Sequence, residues 1–264
     1  MSKLLIERDG DVTLFTLNRP EVHNNVDADL AVELAEGIMA FSDDDAAKVL
    51  VVTGAGGETF CAGANLKGMN ELFEHPYTYT AGPMGFALLD PGKPTIAAVN
   101  GWCLAGGVEL ACWCDFRIVA ENARIGLFNK RWGVPLADGG TQRLARIVGM
   151  GNALWMIETG IEIDAQRARL IGLAQEVVPA GQALDRAMEL ACHIASYPQG
   201  GIRADRQAAV TGFGLPLAEA LQVEVETCHP PVRAAEAAAG MASFAAGSRP
   251  EPPRPRDAAP VQER

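Results

Sequence analysis

The chain has 264 residues, 48% of them hydrophobic and 21% charged, a composition that suits a globular protein with one large core or two smaller ones. Its 22 basic and 33 acidic side chains leave a formal net charge of −11, which argues against a general electrostatic grip on nucleic acid or anionic lipid. Any anionic ligand must therefore be held locally. No apolar run approaches the length needed to span a bilayer, and Leu4-Leu5-Ile6 gives way at once to Glu7, Arg8 and Asp9, so neither a signal peptide nor a membrane anchor is expected. Cys61, Cys103, Cys112, Cys114, Cys192 and Cys228 lack the paired spacing of a zinc site or disulfide framework. They read as reduced thiols of a cytoplasmic protein that binds no metal.

Residues 12–17 alternate as a strand that stops at Asn18-Arg19-Pro20. A helix follows, capped by Asp27 or Asp29, with Leu30, Leu34, Ile38 and Phe41 on one stripe. Residues 48–53 read as a buried strand, and 54–58 as a loop. Residues 59–67 are too rich in glycine and alanine for a regular strand. A variable helical segment is expected over 68–90, a strand over 95–99, a helix opening at Gly106-Gly107, and another strand over 115–119. Strand, strand, helix recurs at comparable spacing, which predicts a layered spiral α/β core. From Gly139 helices dominate: 141–148, 153–158, 164–171, 180–196, 216–227 and 232–244. This divides the chain into a core over 1–195, a helical region over 196–246, and a Pro/Arg-rich tail over 247–264 expected to be disordered.

Two glycine-bearing segments bring chemistry to mind. Around Ala62-Gly63-Ala64, small side chains let a ligand approach the main chain. At Gly106-Gly107 the amides belong to a helix N-terminus, where partial positive charge collects. If the loops converge, the N–H groups of Ala64 and Gly106 donate to one developing oxyanion; alternatively, Gly63 serves a tight turn and Gly106 a packing contact. Glu109, three residues on, lies about one turn along the same face. It is either an acid/base carboxylate or a first-turn glutamate favoured by the helix dipole.

Four segments together resemble the crotonase, or enoyl-CoA hydratase/isomerase, superfamily: Asn18 to Asn24, Thr59 to Lys67, Val99 to Leu110, and Gly139-Gly140-Thr141-Gln142-Arg143-Leu144. The resemblance implies a crotonase-like α/β spiral with a C-terminal helical trimerisation region, forming a homotrimer or homohexamer. It also implies an acyl-CoA thioester substrate with no separate cofactor and no nucleic-acid or membrane partner. The thioester oxygen would be held by the N–H groups of Ala64 and Gly106. Ala62, Ala64, Asn65, Leu66 and Lys67 fall on the family's acyl-CoA-binding stretch, and Val22 where the CoA moiety is contacted; Lys67 is equally readable as a solvated surface lysine. Hydratases resembling this chain carry a second glutamate where this one has Asn129, which can orient water but cannot exchange a proton. Asp138 stands where the dienoyl-CoA isomerase branch has a catalytic aspartate, or else it caps the helix starting near Gly139. The expected activity is hydration of a trans-2-enoyl-CoA through Glu109, with Asn129 as orienter. An enoyl- or dienoyl-CoA isomerase using Glu109 with Asp138, and a non-catalytic acyl-CoA-binding subunit, are the alternatives. His75 and Trp132 are weaker candidates for the acyl pocket. His193 and His229 lie far from the motifs, and Cys112 and Cys114 read as core fillers.

Overall fold

The structure, a computed structural model, describes residues 2–229 and 231–254. The chain begins with strands β1 (Leu4–Asp9) and β2 (Val12–Leu17), helix α1 (Ala28–Asp43), and strands β3 (Val49–Gly54) and β4 (Thr59–Cys61). Two short helices, α2 (Met69–Glu74) and α3 (Thr78–Ala81), precede β5 (Thr95–Val99), β6 (Trp102–Leu104), α4 (Gly106–Trp113), β7 (Phe116–Ala120) and β8 (Arg124–Gly126). Then come α5 (Gly140–Val148), α6 (Met150–Thr159), β9 (Glu162–Asp164), α7 (Ala165–Leu170), β10 (Glu176–Val178) and α8 (Ala183–Ser196). Helices α9 (Gln199–Gly212), α10 (Leu217–Cys228) and α11 (Pro231–Ala245) close the order.

The strands form a six-stranded sheet in the order β1-β2-β3-β5-β7-β10 and a four-stranded sheet in the order β4-β6-β8-β9. From β3 to β8 each turn of the chain gives a strand first to the large sheet and then to the small one, which makes the α/β spiral anticipated from the repeat. Among the described residues only the β1–β2 and β8–β9 pairs are antiparallel.

Period-two patterning decides which core each side chain enters. Leu50 and Val52 of β3 join the core containing α1 and α4, while Val49 and Val51 face the opposite core with α8. There α8 contributes Ala183, Ala187, Ala191 and Ala195, four apart and so on one stripe, which lets the helix lie close on the sheet. Between the two candidate caps of α1, it is Asp27 whose Oδ1 accepts the Leu30 N–H at 3.0 Å. At the other end of α1 the buried Lys93 donates to Phe41 O (2.7 Å) and Asp44 O (2.8 Å), satisfying carbonyls the helix leaves open. Arg117 does the same for α4, donating to Ala111 O and Cys114 O.

Several expectations need correction. Thr59–Cys61 is a strand, because pairing with β6 (Thr59 opposite Trp102, Cys61 opposite Cys103) overrides its weak local pattern. Strand β1 escaped notice because only Leu4 of its six residues is buried, so no alternation shows. The 68–90 segment is two short helices and then irregular chain. Residues 199–212 form α9, hidden by the unfavourable pair Gly200-Gly201. Asp164 ends β9 and caps α7, accepting Arg167 N–H at 2.7 Å, rather than opening the helix itself. Of the tail, residues 248–254 have no regular structure, with Arg254 O accepting from Arg186; 255–264 lie outside the described residues.

At Gly107 an added Cβ would strike Cys61 O, whereas one at Gly151 in α6 would meet nothing within 4 Å. Gly107→Ala is therefore expected to lower unfolding free energy by about 1–3 kcal/mol. Gly151→Ala should leave it unchanged or raise it by up to about 1 kcal/mol. Urea unfolding midpoints of the two variants check both signs.

Candidate active site

A cavity of about 540 Å³ opens between four segments: Ala62–Met69, Leu72–Met84, Leu104–Glu109 and Phe128–Asp138. Its side-chain lining is apolar except for Glu109, Asn129, Asp138 and the indole N–H of Trp132. Three sequence-predicted acid, base or orienting residues thus meet at one place.

The two glycine segments do converge. Val26 N–H donates to Gly63 O (2.8 Å) and Asn65 N–H to Val26 O (2.7 Å), a parallel bridge centred on Ala64. Since successive strand amides point to opposite edges, the Ala64 N–H faces away from Val26. Gly106 N lies 2.6 Å from where a Cβ on Gly63 would stand, so a side chain there would displace it. The Gly106 amide is the first of α4, aimed by Ala105, a non-glycine residue at φ 51°, ψ −118°. Such backbone costs on the order of 1–3 kcal/mol and persists where surrounding structure imposes it. Among the described residues neither the Ala64 nor the Gly106 amide has a hydrogen-bond acceptor, and both residues line the cavity.

Glu109 is 3% exposed. Its Oε1 accepts from Asp138 N (2.9 Å) and Gly140 N (2.8 Å), so it serves the first open amide of α5; Oε2 accepts from no described residue. Burial pushes this carboxyl from its ordinary 4.5 up to about 7, with the Gly140 amide opposing and Asp138 adding to the rise. Asp138, also 3% exposed, does not cap α5: its Oδ1 accepts from Met84 N at 2.9 Å, and Gly139 provides no side-chain cap. The capping reading is overturned because the chain turns left-handed at Gly139 and points the Asp138 carboxyl into the cavity wall instead. Burial raises it to about 6 against the Met84 hydrogen bond and the nearby Arg143 charge.

Asn129 is 6% exposed and clamped to Val134, donating from Nδ2 to Val134 O at 2.7 Å while its own carbonyl accepts Val134 N–H at 3.2 Å. Its Oδ1 is buried without a partner. Ala62 and Leu66 line the cavity; Asn65 and Lys67 do not. Asn65 Oδ1 accepts Lys67 N–H, and the Lys67 side chain is exposed. Val22 sits half-buried in a short turn joined to this segment, with His23 O accepting Ala62 N–H. Trp132 stands at the mouth, 71% exposed. His75 stays outside the lining: its Nε2 meets Pro83 O at 2.8 Å and its Nδ1 accepts Tyr77 N–H, pinning the wall that carries Met84. His193 pairs with Tyr197 on α8, and Cys112 and Cys114 are buried. Among the described residues no group of three or more His, Cys, Asp or Glu converges to hold a metal, and no helix is long and apolar enough to cross a membrane.

Sequence reasoning missed the Met84 amide and the strained Ala105. The glycine pair Gly139-Gly140 could have signalled that Glu109 meets a helix N-terminus.

A model of the enoyl-CoA hydratase/isomerase family matches residues 7–251. The chain is 35% identical over 226 residues to a crotonyl-CoA hydratase of Syntrophomonas wolfei, covering 84% of this chain and 87% of that protein. It is 39% identical over 212 residues to a 2,3-dehydroadipyl-CoA hydratase of Escherichia coli, covering 79% and 82%. The crystal structure of an enoyl-CoA hydratase from Bacillus anthracis superposes with a TM-score of 0.87 at 32% identity, covering 95% of this chain and 98% of that one.

The raised Glu109 carboxyl has a stability consequence of definite sign. Its folded-state value lies above its unfolded one, so its contribution is fully present below about pH 4.5 and is lost as pH rises through about 7. Glu109→Gln, which does not titrate, should gain on the wild type across that interval by on the order of 3 kcal/mol. Melting temperatures of both proteins at pH 5 and pH 8 check this; a difference that does not widen with pH contradicts it.

Proposed function

Because the chain belongs to the enoyl-CoA hydratase/isomerase family, we propose that it adds water across the double bond of a trans-2-enoyl-CoA thioester. The observation that carries this reading is the meeting of two acceptor-free backbone amides, Ala64 and Gly106, with the buried Glu109 carboxyl on one apolar cavity.

The thioester oxygen accepts both amides. Glu109, ionised, takes a proton from water as its oxygen bonds to C3; the double-bond electrons move onto the thioester oxygen as an enolate. The two amides stabilise that charge, each worth about 10²–10³ in rate. Glu109 then returns the proton to C2, and the 3-hydroxyacyl thioester is complete. Positioned general acid/base work of this kind contributes about 10²–10⁴. Asn129 orients the water without exchanging protons. Val22, Asn65 and Lys67 lie on the side from which the CoA moiety approaches, Lys67 giving local positive charge on an acidic protein.

Asp138 supports a second reading. Its carboxyl lines the same cavity as Glu109, so the pair suits moving a proton between carbons of an enoyl or dienoyl thioester without adding water. We further read residues 196–246 as the assembly region of a cytoplasmic homotrimer or homohexamer: Leu217, Leu221 and Val225 make an exposed stripe four residues apart on α10.

The test is loss of enoyl absorbance with crotonyl-CoA. The wild type is expected to hydrate it, with kcat/KM falling as pH drops through about 7, where Glu109 becomes protonated. Glu109→Gln should lose at least about 100-fold. Double-bond migration abolished by Asp138→Asn would favour the isomerase, and CoA-ester binding with no turnover the non-catalytic subunit.

A further inference from the structure

A second cavity, of about 510 Å³, opens between α4, α5, α9 and the 89–91 segment, and it shares no lining residue with the first. Its apolar surface comes from Leu89, Trp113 and Ile147 and from the exposed Val210 and Phe213 of α9. Asp90, Asp115 and three arginines supply its charge. Both aspartates are committed to Arg206, which donates to Asp90 Oδ1 at 2.8 Å and Asp115 Oδ2 at 2.9 Å. Arg143 and Arg146, three apart and so on one face of α5, are in no ion pair among the described residues. Arg143 donates only to main-chain carbonyls, Ala87 O (2.7 Å) and Asp138 O (3.4 Å), and Arg146 only to Gln142 of its own helix. A guanidinium has five N–H donors, so both keep donors with no described acceptor. Burial disfavours the Arg143 charge, and Glu109, Asp138 and Asp90 oppose this without ion-pair contact. A half-buried cation facing only carbonyls gains from a counter-anion.

We propose that this second cavity is a binding site for a small organic carboxylate on an apolar, aromatic body, its charge received by Arg143 and Arg146. On a protein of net charge −11, two arginines without carboxylate partners beside one cavity are a local reversal of sign. The guanidinium fork matches a carboxylate in shape as well as charge. Val210 and Phe213 offer the ligand's body an exposed apolar surface, which an inorganic anion would leave in water. Leu217, Leu221 and Val225, the stripe read above as an assembly surface, do not line this cavity. The site is independent of the thioester reading, yet the two cavities are neighbours. Arg143 lines the second and donates to Asp138, which lines the first, and α5 begins at the Gly140 amide that holds Glu109. An occupant held by Arg143 and Arg146 therefore bears on the helix that supports the Glu109 carboxyl.

The experiment titrates the full chain with 2-naphthoate, with its neutral counterpart naphthalene-2-methanol and with inorganic phosphate, following each by ligand-observed NMR. The naphthoate is expected to bind at least about tenfold more tightly than the alcohol, the order of one hydrogen bond to a charged group, and more tightly than phosphate. Arg146→Gln removes one guanidinium and should weaken the naphthoate about five- to tenfold while leaving the alcohol unchanged. Val210→Glu sets a carboxylate beside the site from another helix and should weaken the naphthoate by at least as much. Both side chains are exposed and line only the second cavity. Either variant that keeps the wild-type circular dichroism spectrum therefore locates the binding. Naphthoate affinity that survives both substitutions places the ligand elsewhere and overturns the proposal. So does an alcohol that binds as well as the acid, or phosphate that binds as well as the naphthoate. Absence of naphthoate binding in the wild type, including absence because a second copy of the chain covers the α9 face, overturns it too. None of these results touches the thioester reading, which stands or falls on crotonyl-CoA.

Discussion

The whole arrangement depends on two stretches of main chain, some forty residues apart, approaching more closely than side chains permit. Gly63, at φ 86°, lies where any Cβ would fall 2.6 Å from Gly106 N. A Cβ on Gly106 would run into Met84 Sδ, and one on Gly107 into Cys61 O. Three glycines therefore let the end of β4 slide under the start of α4. The same closeness brings the Ala64 and Gly106 amides to one wall of the cavity. The spiral makes this possible: β4 and β6 are parallel neighbours in the small sheet, so the residues following each strand emerge at the same edge.

That joint sets the environment of the carboxyls. Helix α4 is buried along its entire length, so Glu109 is carried into a region of low polarity, where two backbone amides and, more weakly, the Lys130 charge compensate it. Had a lysine or arginine been placed against Oε1 instead, the carboxyl would be held ionised and inert as a proton carrier. Amide dipoles stabilise it by less than a full charge does, which leaves burial as the larger influence and the carboxyl near neutrality of titration at about pH 7. Stability is given up for that placement, since an ionised buried group opposes folding. Arg143 stands nearby without taking it back: its guanidinium is turned to Ala87 O at 2.7 Å and more weakly to Asp138 O.

The parts of this fold that were legible in the sequence are those whose signal is local. Asp27 and the Leu30, Leu34, Ile38, Phe41 stripe announced α1 because capping and 3.6-residue periodicity are written in adjacent residues. The buried run of β3 was equally plain. By contrast, β4, β6, β8, β9 and β10 are three-residue strands; each exists because a partner elsewhere in the chain completes its hydrogen bonds, and three residues cannot display a period. The site divided in the same way. Its glycines, Glu109, Asn129 and Asp138 could be picked out by residue type and resemblance. What each side chain does with its hydrogen bonds could not, because Met84, Val134 and Gly140 come from other segments. Asp138 is the clearest case: an aspartate just before a helix is ordinarily a cap, yet here the left-handed turn at Gly139 swings its carboxyl to Met84 and leaves the helix amide to Glu109.

This exchange of partners ties the Met84 wall of the cavity to the two buried carboxyls. Asp138 receives the Met84 amide, Met84 lies over Gly106, and the 75–83 turn leading to Met84 is pinned by His75 through both ring nitrogens. The segment least regular in secondary structure is thereby one of the most constrained in hydrogen bonding. A wall built from irregular chain can vary in length and side chains while the amides at Ala64 and Gly106 remain fixed by strand pairing and by Ala105's imposed backbone. In the proposed function, selection among acyl groups and stabilisation of charge at the thioester would therefore rest on physically separate supports, joined where Met84 meets Asp138 and Gly106.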